Sequence, residues 1–183
     1  FFDFKLDKLH IDRRITQMSD EGIIFHTDVH VGVDFSVKKM LDKHDAIILA
    51  GGAEKPRDLP IQGRNFNGIH YAMEFLPQQN KRNGGEKEQF SKEILASGKN
   101  VVVIGGGDTA MDCVRTAIRQ KAKSVKCLYR RDRENMPGST REVGNAEEEG
   151  VKFIWLTSPK SFIGQEVVRE VEVNKMILGE PDS

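Results

Sequence analysis

A glycine-rich turn between two apolar segments is the feature of this chain that could most readily do chemistry. Gly105, Gly107 and Ala110 form a G-x-G-x-x-A pattern directly after the apolar residues 101–104. In such a pattern the first glycine permits a tight turn, the second lets the backbone approach a pyrophosphate, and the third small residue lets helix and strand pack closely. The helix that follows would direct its free amides and its positive dipole end at the phosphates.

This pattern predicts a dinucleotide-binding turn, and a purely structural turn is the alternative. The strand before it and the apolar spacing of a helix after it, together with a second strand, favour the dinucleotide. The predicted contact residues are Gly105, Gly106, Gly107, Asp108 and Thr109.

The end of the second predicted strand indicates which dinucleotide would bind. An NAD site usually has a carboxylate about 20 residues beyond the glycines, where it meets the ribose 2′-hydroxyl. This chain has Arg130 and Arg131 after the strand at 124–129. A guanidinium fork matches a 2′-phosphate, so the sequence predicts NADP(H) rather than NAD(H). Two solvated surface charges are the alternative, and the neighbouring Asp132 keeps NAD(H) open.

A second turn of small residues follows another apolar segment. Residues 45–50 are typical of a buried strand, and Ala50, Gly51 and Gly52 come at its end. Small residues at the end of a strand indicate close approach of the backbone to another group. A plain turn explains the pattern equally well.

The composition limits the classes of function. Among 183 residues, 28 are acidic and 28 are basic. The zero net charge gives no support for binding to nucleic acid or to a membrane surface. No apolar run approaches the roughly 18 residues that span a bilayer. Cys113 and Cys127 form no C-x-x-C pair, so a metal or iron–sulfur site made by this chain alone is not expected. Two such cysteines indicate a reducing compartment, and we expect the cytoplasm.

The remaining elements predict an α/β fold. A strand is predicted at 151–156 and an antiparallel hairpin or meander within 162–178, with one further strand at 23–31. Helices are predicted within 1–22, ending at Gly22, at 36–43 with Ser36 as cap, from Tyr71 until Pro77 disrupts or ends it, and at 140–149. The acidic run 147–149 is interpreted as a solvated helix end.

Several runs together resemble a known family. The chain closely resembles the small (beta) subunit of bacterial NADPH-dependent glutamate synthase, and the resemblance covers essentially the whole chain. It is carried by residues 105–115, 129–133, 135–139, 141–143, 49–53, 56–61, 72–77 and 179–182.

The resemblance implies Rossmann-like, nested dinucleotide-binding domains with a parallel sheet and an antiparallel β meander. It assigns residues 1–77 to part of an FAD-binding domain, 78–97 to a linker, and 98–183 to an incomplete NADPH-binding domain. By the same resemblance, Ala50, Gly51 and Gly52 pass close to the flavin. Hydride transfer to a flavin depends on positioning, so no catalytic residue is expected.

The resemblance also implies a function for the whole protein. NADPH delivers hydride to FAD, and electrons pass through iron–sulfur clusters to the large (alpha) subunit, where glutamate is formed. The first FAD glycine motif and the cysteine-rich region of the family are not in this sequence. The sequence is therefore interpreted as an internal fragment. We expect the fragment to be inactive alone and to supply no ligands to an iron–sulfur cluster.

Two alternatives remain. The same paired module serves other electron-input subunits, of the dihydropyrimidine dehydrogenase-like or ferredoxin–NADPH oxidoreductase-like kind. A non-catalytic NADP(H)-binding domain is the alternative outside the redox enzymes.

Overall fold

The structure is a computed structural model that describes residues 5–53, 55–86 and 90–179. The chain divides into two compact units, Phe1–Glu54 and Lys55–Ser183, called here the first and second units. Within the described residues, no helix combines the length and the apolar character needed to cross a bilayer.

The first unit contains two helices, α1 (Lys8–Asp20) and α2 (Val37–Lys43). The Asp7 side chain caps α1 by accepting a hydrogen bond from the Leu9 amide at 2.9 Å. Gly22 follows the end of α1 with φ +94°, a conformation that suits glycine, so its predicted role is confirmed. Ser36 is the residue that precedes α2, although its side chain makes no capping hydrogen bond.

The two strands predicted in the first unit do not form, so that prediction is wrong. Residues 23–31 and 45–50 pair with no strand among the described residues, and an isolated bridge joins Val31 and Phe35. A strand exists only when its backbone groups bond to a neighbouring strand. Neither segment has such a neighbour among the described residues of this unit.

The second unit is built on a parallel sheet. Its strands β1 (Asn100–Ile104), β2 (Ser124–Leu128) and β3 (Lys152–Ile154) lie in the order β1-β2-β3. Helix α4 (Asp108–Arg119) connects β1 to β2, and α5 (Thr140–Glu148) connects β2 to β3. Two consecutive β-α-β units confirm the predicted parallel sheet of Rossmann-like type.

The core of the second unit lies between α4, α5 and one face of the sheet. Met111, Val114 and Ala117 on α4 are fully buried, as the helical spacing predicts. They belong to one hydrophobic cluster that also includes Val125 and Cys127 of β2 and Val143 and Ala146 of α5.

Strand β1 is covered on one face only within the described residues. Val101 and Val103 pack against the core, whereas Val102 and Ile104 are each 39% exposed. Four consecutive apolar residues predict a parallel strand that is covered on both faces, and for β1 that prediction is wrong. The reason is that β1 is an edge strand whose second face meets no described helix.

The last two strands form the predicted antiparallel pair, β4 (Thr157–Gly164) with β5 (Val168–Lys175). Helix α3 (Ala72–Asn83) precedes the sheet and continues through Pro77, which the sequence analysis expected to disrupt or end it. A proline inside a helix removes one backbone hydrogen bond and does not always end it. Here the next turn is held by Gln78, whose side-chain oxygen accepts from the Ile94 amide at 3.0 Å.

Candidate nucleotide-binding site

The three glycines between β1 and α4 are required for three different reasons. Gly105 has φ +146°, which side-chain-bearing residues rarely adopt. A side chain at Gly106 would overlap the ring of Tyr129. Gly107, at the start of α4, has no protein atom within 4 Å of the position that a Cβ would occupy. The ring of Tyr129 therefore fills the space next to Gly106, whereas the space next to Gly107 is open.

The open side of the turn coincides with the start of α4. Gly107 is the residue that precedes the helix, and no side chain caps it. The first amides of a helix have no partner within the helix, and they carry its positive dipole end. The space next to Gly107 therefore fits a pyrophosphate, because the group could accept from these amides without displacing protein atoms.

A second turn, at residues 136–139 directly before α5, is hydrogen-bonded to the glycine turn. The Gly138 amide donates to the Gly106 carbonyl at 2.8 Å, and the Ser139 amide donates to Asp108 Oδ1 at 3.2 Å. Met136 is 8% exposed and joins the core. Asp108, predicted to contact the nucleotide, thus also holds the start of α5. The sequence analysis did not predict this contact between the two turns.

The predicted arginines follow β2 at the same edge of the sheet as the glycine turn. The last residues of β1 and β2, Ile104 and Leu128, are paired in register, so the segments that follow them start side by side. Arg130 and Arg131 are exposed, and neither side chain makes a hydrogen bond or ion pair with another described residue. Ligands of such sheets bind in the crevice outside the carboxyl ends of the strands.

The backbone that carries these arginines is fixed by the segment after β3. The Tyr129 amide donates to the Ile154 carbonyl at 3.1 Å, and the Thr157 amide donates to the Tyr129 carbonyl at 3.0 Å. The Leu156 amide donates to the Arg131 carbonyl at 3.0 Å. The exposed arginine side chains thus extend from a backbone that hydrogen bonds hold in place.

The next two charged residues are already engaged with protein. Asp132 Oδ1 accepts from the backbone amide of Asn135 at 2.9 Å and from its side-chain amide at 2.7 Å. Arg133 makes two hydrogen bonds to Glu147. Asp132 is the carboxylate that made NAD(H) an alternative in the sequence analysis. In the structure its side chain is bonded to Asn135 and stabilises the local loop.

The interpretation of the acidic run 147–149 at the end of α5 as a solvated end is wrong for Glu147 and Glu149, because both are paired with arginines, whereas Glu148 is exposed. Glu149 lies 2.8 Å from Arg115 and 2.6 Å from Arg119, and Glu142 lies 2.7 Å from Arg115. Burial alone would raise the pKa of Glu149, but the hydrogen bonds from Arg119 and Arg115 outweigh it and lower that pKa. The seven-residue spacing of Glu142 and Glu149, which places both on one helix face, was the signal for this network.

The two cysteines are structural. Burial, with smaller contributions from Asp112 and Cys127, raises the pKa of Cys113 to about 12, and burial raises the pKa of Cys127 to about 12. Thiols with such a pKa stay protonated and unreactive at neutral pH. The Cys127 thiol donates to the Gly105 carbonyl at 3.3 Å, which supports the turn. The described residues contain no cluster of side chains that could hold a metal ion.

The described residues of the first unit form no turn comparable with that at residues 105–107. Ala50, Gly51 and Gly52 are exposed, and a Cβ at either glycine would meet no atom within 4 Å. The described residues of this unit therefore do not by themselves form a flavin site, and the assignment of these three residues to FAD stays a prediction.

Comparison with known proteins places the chain in a family. The family model described as "Pyridine nucleotide-disulphide oxidoreductase" matches residues 8–182. The chain belongs to this family. Two relatives are the glutamate synthase [NADPH] small chains of Azospirillum brasilense, which is 50% identical to this chain, and of Halomonas elongata, which is 41% identical. Each alignment covers 98% of this chain and 38% of the relative, so the chain spans well under half of either protein.

One further relative and one solved structure of similar fold extend the comparison. AegA of Escherichia coli K12, whose name assigns it only to the oxidoreductases, is 40% identical over 98% of this chain and 28% of its own length. The solved structure of Mycobacterium tuberculosis FprA in complex with NADPH matches with a TM-score of 0.69 at 17% identity, over 91% of this chain and 51% of FprA. This likeness confirms the α/β, Rossmann-like fold class of the chain.

Proposed function

We propose that the second unit binds NADP(H) as the electron-entry site of an NADPH-dependent flavin oxidoreductase. The observation that carries the proposal is one sheet edge that has both an open glycine turn and two arginines whose side chains have no partner among the described residues. The turn fits the pyrophosphate that all these dinucleotides share. The arginines fit the 2′-phosphate that only NADP(H) has.

The role of each residue follows from its position. The amides of Gly107, Asp108 and Thr109 would donate to the pyrophosphate, with Gly105 and Gly106 shaping the turn. Arg130 and Arg131 would each donate to the 2′-phosphate. The bound nicotinamide supplies a hydride, so the work of the protein is to bind and orient, and no general acid or base is assigned.

For the whole protein we propose the electron-input role in glutamate synthase. Hydride would pass from NADPH to FAD, and electrons would pass through iron–sulfur clusters to the large (alpha) subunit for glutamate formation. The names of the relatives at 50% and 41% identity support this role. We place the cluster ligands outside the described residues, which hold none, and we propose a cytoplasmic location.

The test of nucleotide binding compares NADP⁺ with NAD⁺, which differ only in the 2′-phosphate. Replacing both Arg130 and Arg131 by alanine should raise the Kd of NADP⁺ about 100-fold or more, because each charged hydrogen bond contributes about 1.5–3 kcal/mol. The Kd of NAD⁺ should change less than about threefold, because the arginines meet only the 2′-phosphate. Isothermal titration calorimetry measures both values.

A matched control removes the same charge elsewhere. Arg13→Ala with Arg14→Ala deletes two adjacent exposed arginines from α1 and should leave both Kd values unchanged. An equal loss of NADP⁺ and NAD⁺ affinity in the Arg130/Arg131 variant, or no loss at all, would remove these arginines from the proposed site.

A second candidate is the same entry site in a different oxidoreductase, and the relationship to AegA supports it. The protein as its own host expresses it should oxidise NADPH in a glutamine-dependent way and copurify with a large subunit if it belongs to glutamate synthase. NADPH oxidation without either property would favour the second candidate. A colourless protein that binds NADPH would favour a non-catalytic NADP(H)-binding domain.

A further inference from the structure

We propose that Arg133 is a positioning residue whose ion pair with Glu147 holds the loop of residues 132–135, which directly follows the two arginines that are proposed to bind the 2′-phosphate. The inference rests on the proposed NADP(H) site and concerns its specificity. The sequence Arg130-Arg131-Asp132-Arg133 offers three guanidinium groups, and the structure distinguishes one of them from the other two.

In the ion pair between Arg133 and Glu147, both terminal nitrogens of the guanidinium group bond to the carboxylate. Arg133 Nη1 lies 2.7 Å from Glu147 Oε1, and Nη2 lies 2.8 Å from Oε2. Two parallel bonds between planar groups fix orientation as well as distance. Both terminal nitrogens of Arg133 are bonded to Glu147 on α5, whereas those of Arg130 and Arg131 have no partner among the described residues.

The loop is attached to the second unit at both ends. At its start the Arg131 carbonyl accepts from the Leu156 amide, and at its end Met136 is buried in the core. The Asn135 carbonyl also accepts from the Tyr129 hydroxyl at 3.1 Å. Between these points, the ion pair of Arg133 is the side-chain contact that the described residues make from the loop to α5.

Restraining the loop helps binding because an ordered loop loses less conformational entropy when the ligand arrives. The Arg133 side chain is 50% exposed and that of Glu147 is 34% exposed. An ion pair exposed to this degree contributes little to the folding of the protein. Its removal should therefore change the placement of the loop while the second unit stays folded.

The rival interpretation makes Arg133 a third phosphate ligand and Glu147 a carboxylate that competes for it. The two interpretations predict opposite effects for Glu147→Ala. Loss of Glu147 weakens NADP⁺ binding if the pair positions the loop. Its loss strengthens binding, or leaves it unchanged, if Arg133 meets the phosphate directly.

The experiment is a double-mutant cycle on the Kd of NADP⁺ with Arg133→Ala, Glu147→Ala and the double variant. We expect each single substitution to raise the Kd about threefold, the size typical of an exposed ion pair, and the double variant to be no worse than either. The Kd of NAD⁺ should stay constant throughout. Tighter or unchanged NADP⁺ binding by Glu147→Ala overturns the proposal.

A charge exchange adds a rescue test. Arg133→Glu combined with Glu147→Arg restores an ion pair at the same place, so it should bring the Kd of NADP⁺ back towards that of the parent protein. If Arg133 were a phosphate ligand, a glutamate there would repel the phosphate, and the exchanged protein would bind more weakly than Arg133→Ala.

Failure of this inference is distinguishable from failure of the proposed function. If the parent protein binds NADP⁺ and NAD⁺ equally, the proposed function fails. If the parent prefers NADP⁺ and all the variants match it, only the role of Arg133 is contradicted. The unfolding midpoint followed by the fluorescence of Trp155, the one tryptophan of the chain, verifies that each variant is folded.

Discussion

The two units of this chain carry similar sequence patterns and have different structures. Residues 101–104 become β1, pair with β2 and contribute Val101 and Val103 to the core. Residues 46–49 are equally apolar, but they form no strand, and Ile48 and Leu49 are 89% and 92% exposed. No described residue of the first unit is buried.

This difference shows what an apolar run can and cannot specify. The run indicates that a segment could be buried, whereas the strand itself requires a neighbour with free backbone groups. Strand β1 has that neighbour in β2, brought alongside by α4. The first unit offers none among its described residues, so stability should be concentrated in the second unit. The following matched pairs test this contrast.

The largest expected effect is at Arg115 of α4. Its side chain is 7% exposed and lies between Glu142 and Glu149. Arg115→Ala leaves two partly buried carboxylates facing each other and should lower the free energy of unfolding by about 3–5 kcal/mol. Arg13→Ala on the exposed surface of α1 should change it by less than about 0.5 kcal/mol. Urea unfolding followed by circular dichroism measures both, and equal effects would contradict the contrast.

A second pair compares apolar side chains on helices. Met111 is fully buried, and Leu9 is 71% exposed. Met111→Ala should lower the free energy of unfolding by about 2–5 kcal/mol, because a cavity replaces the side chain. Leu9→Ala should cost less than about 0.5 kcal/mol. A cost at Leu9 comparable with that at Met111 would mean that the first unit has a core of its own.

A third pair compares glycines. Gly106→Ala places a methyl group in the ring of Tyr129 and should cost about 1–3 kcal/mol, the range for overpacking. Gly51→Ala meets no atom within 4 Å and should change stability by less than about 0.5 kcal/mol. Thermal unfolding measures both. Full stability of Gly106→Ala would show that Tyr129 moves freely away from the turn.

The smallest expected effect is the change in the free energy of unfolding with pH that Glu149 causes in acid. Because the folded pKa of Glu149 is lowered, its pairs with Arg115 and Arg119 stabilise fully above its ordinary value of 4.5. That contribution is lost as the pH falls from 4.5 through the folded pKa. Glu149→Gln should therefore lower stability at neutral pH and flatten the acid dependence below pH 4.5. Glu148→Gln changes an exposed neighbouring side chain and should leave stability at neutral pH unchanged. Urea midpoints measured at a series of pH values would contradict this if the two variants behave alike.

The spacing of residue types in the sequence predicted individual helices and strands of the second unit. It did not predict contacts between residues that are far apart in the sequence. The spacing of Met111, Val114 and Ala117 specifies α4, and the glycines specify where it starts. The pairing of Glu149 with Arg115 joins residues 34 positions apart, so it depends on how two helices meet.

The candidate site shows the same division. The glycine turn and the two arginines could be identified from residue types and spacing alone. That Gly106 leaves room for Tyr129, and that Arg133 is held by Glu147, depends on the tertiary fold of the second unit.

A crystal structure of the protein with bound NADP⁺ tests the central claim most directly. The account predicts the pyrophosphate about 3 Å from the amides at Gly107 and Asp108, the 2′-phosphate between Arg130 and Arg131, and Arg133 still paired with Glu147. A nucleotide bound elsewhere, with the glycine turn and both arginines out of its reach, would contradict the account.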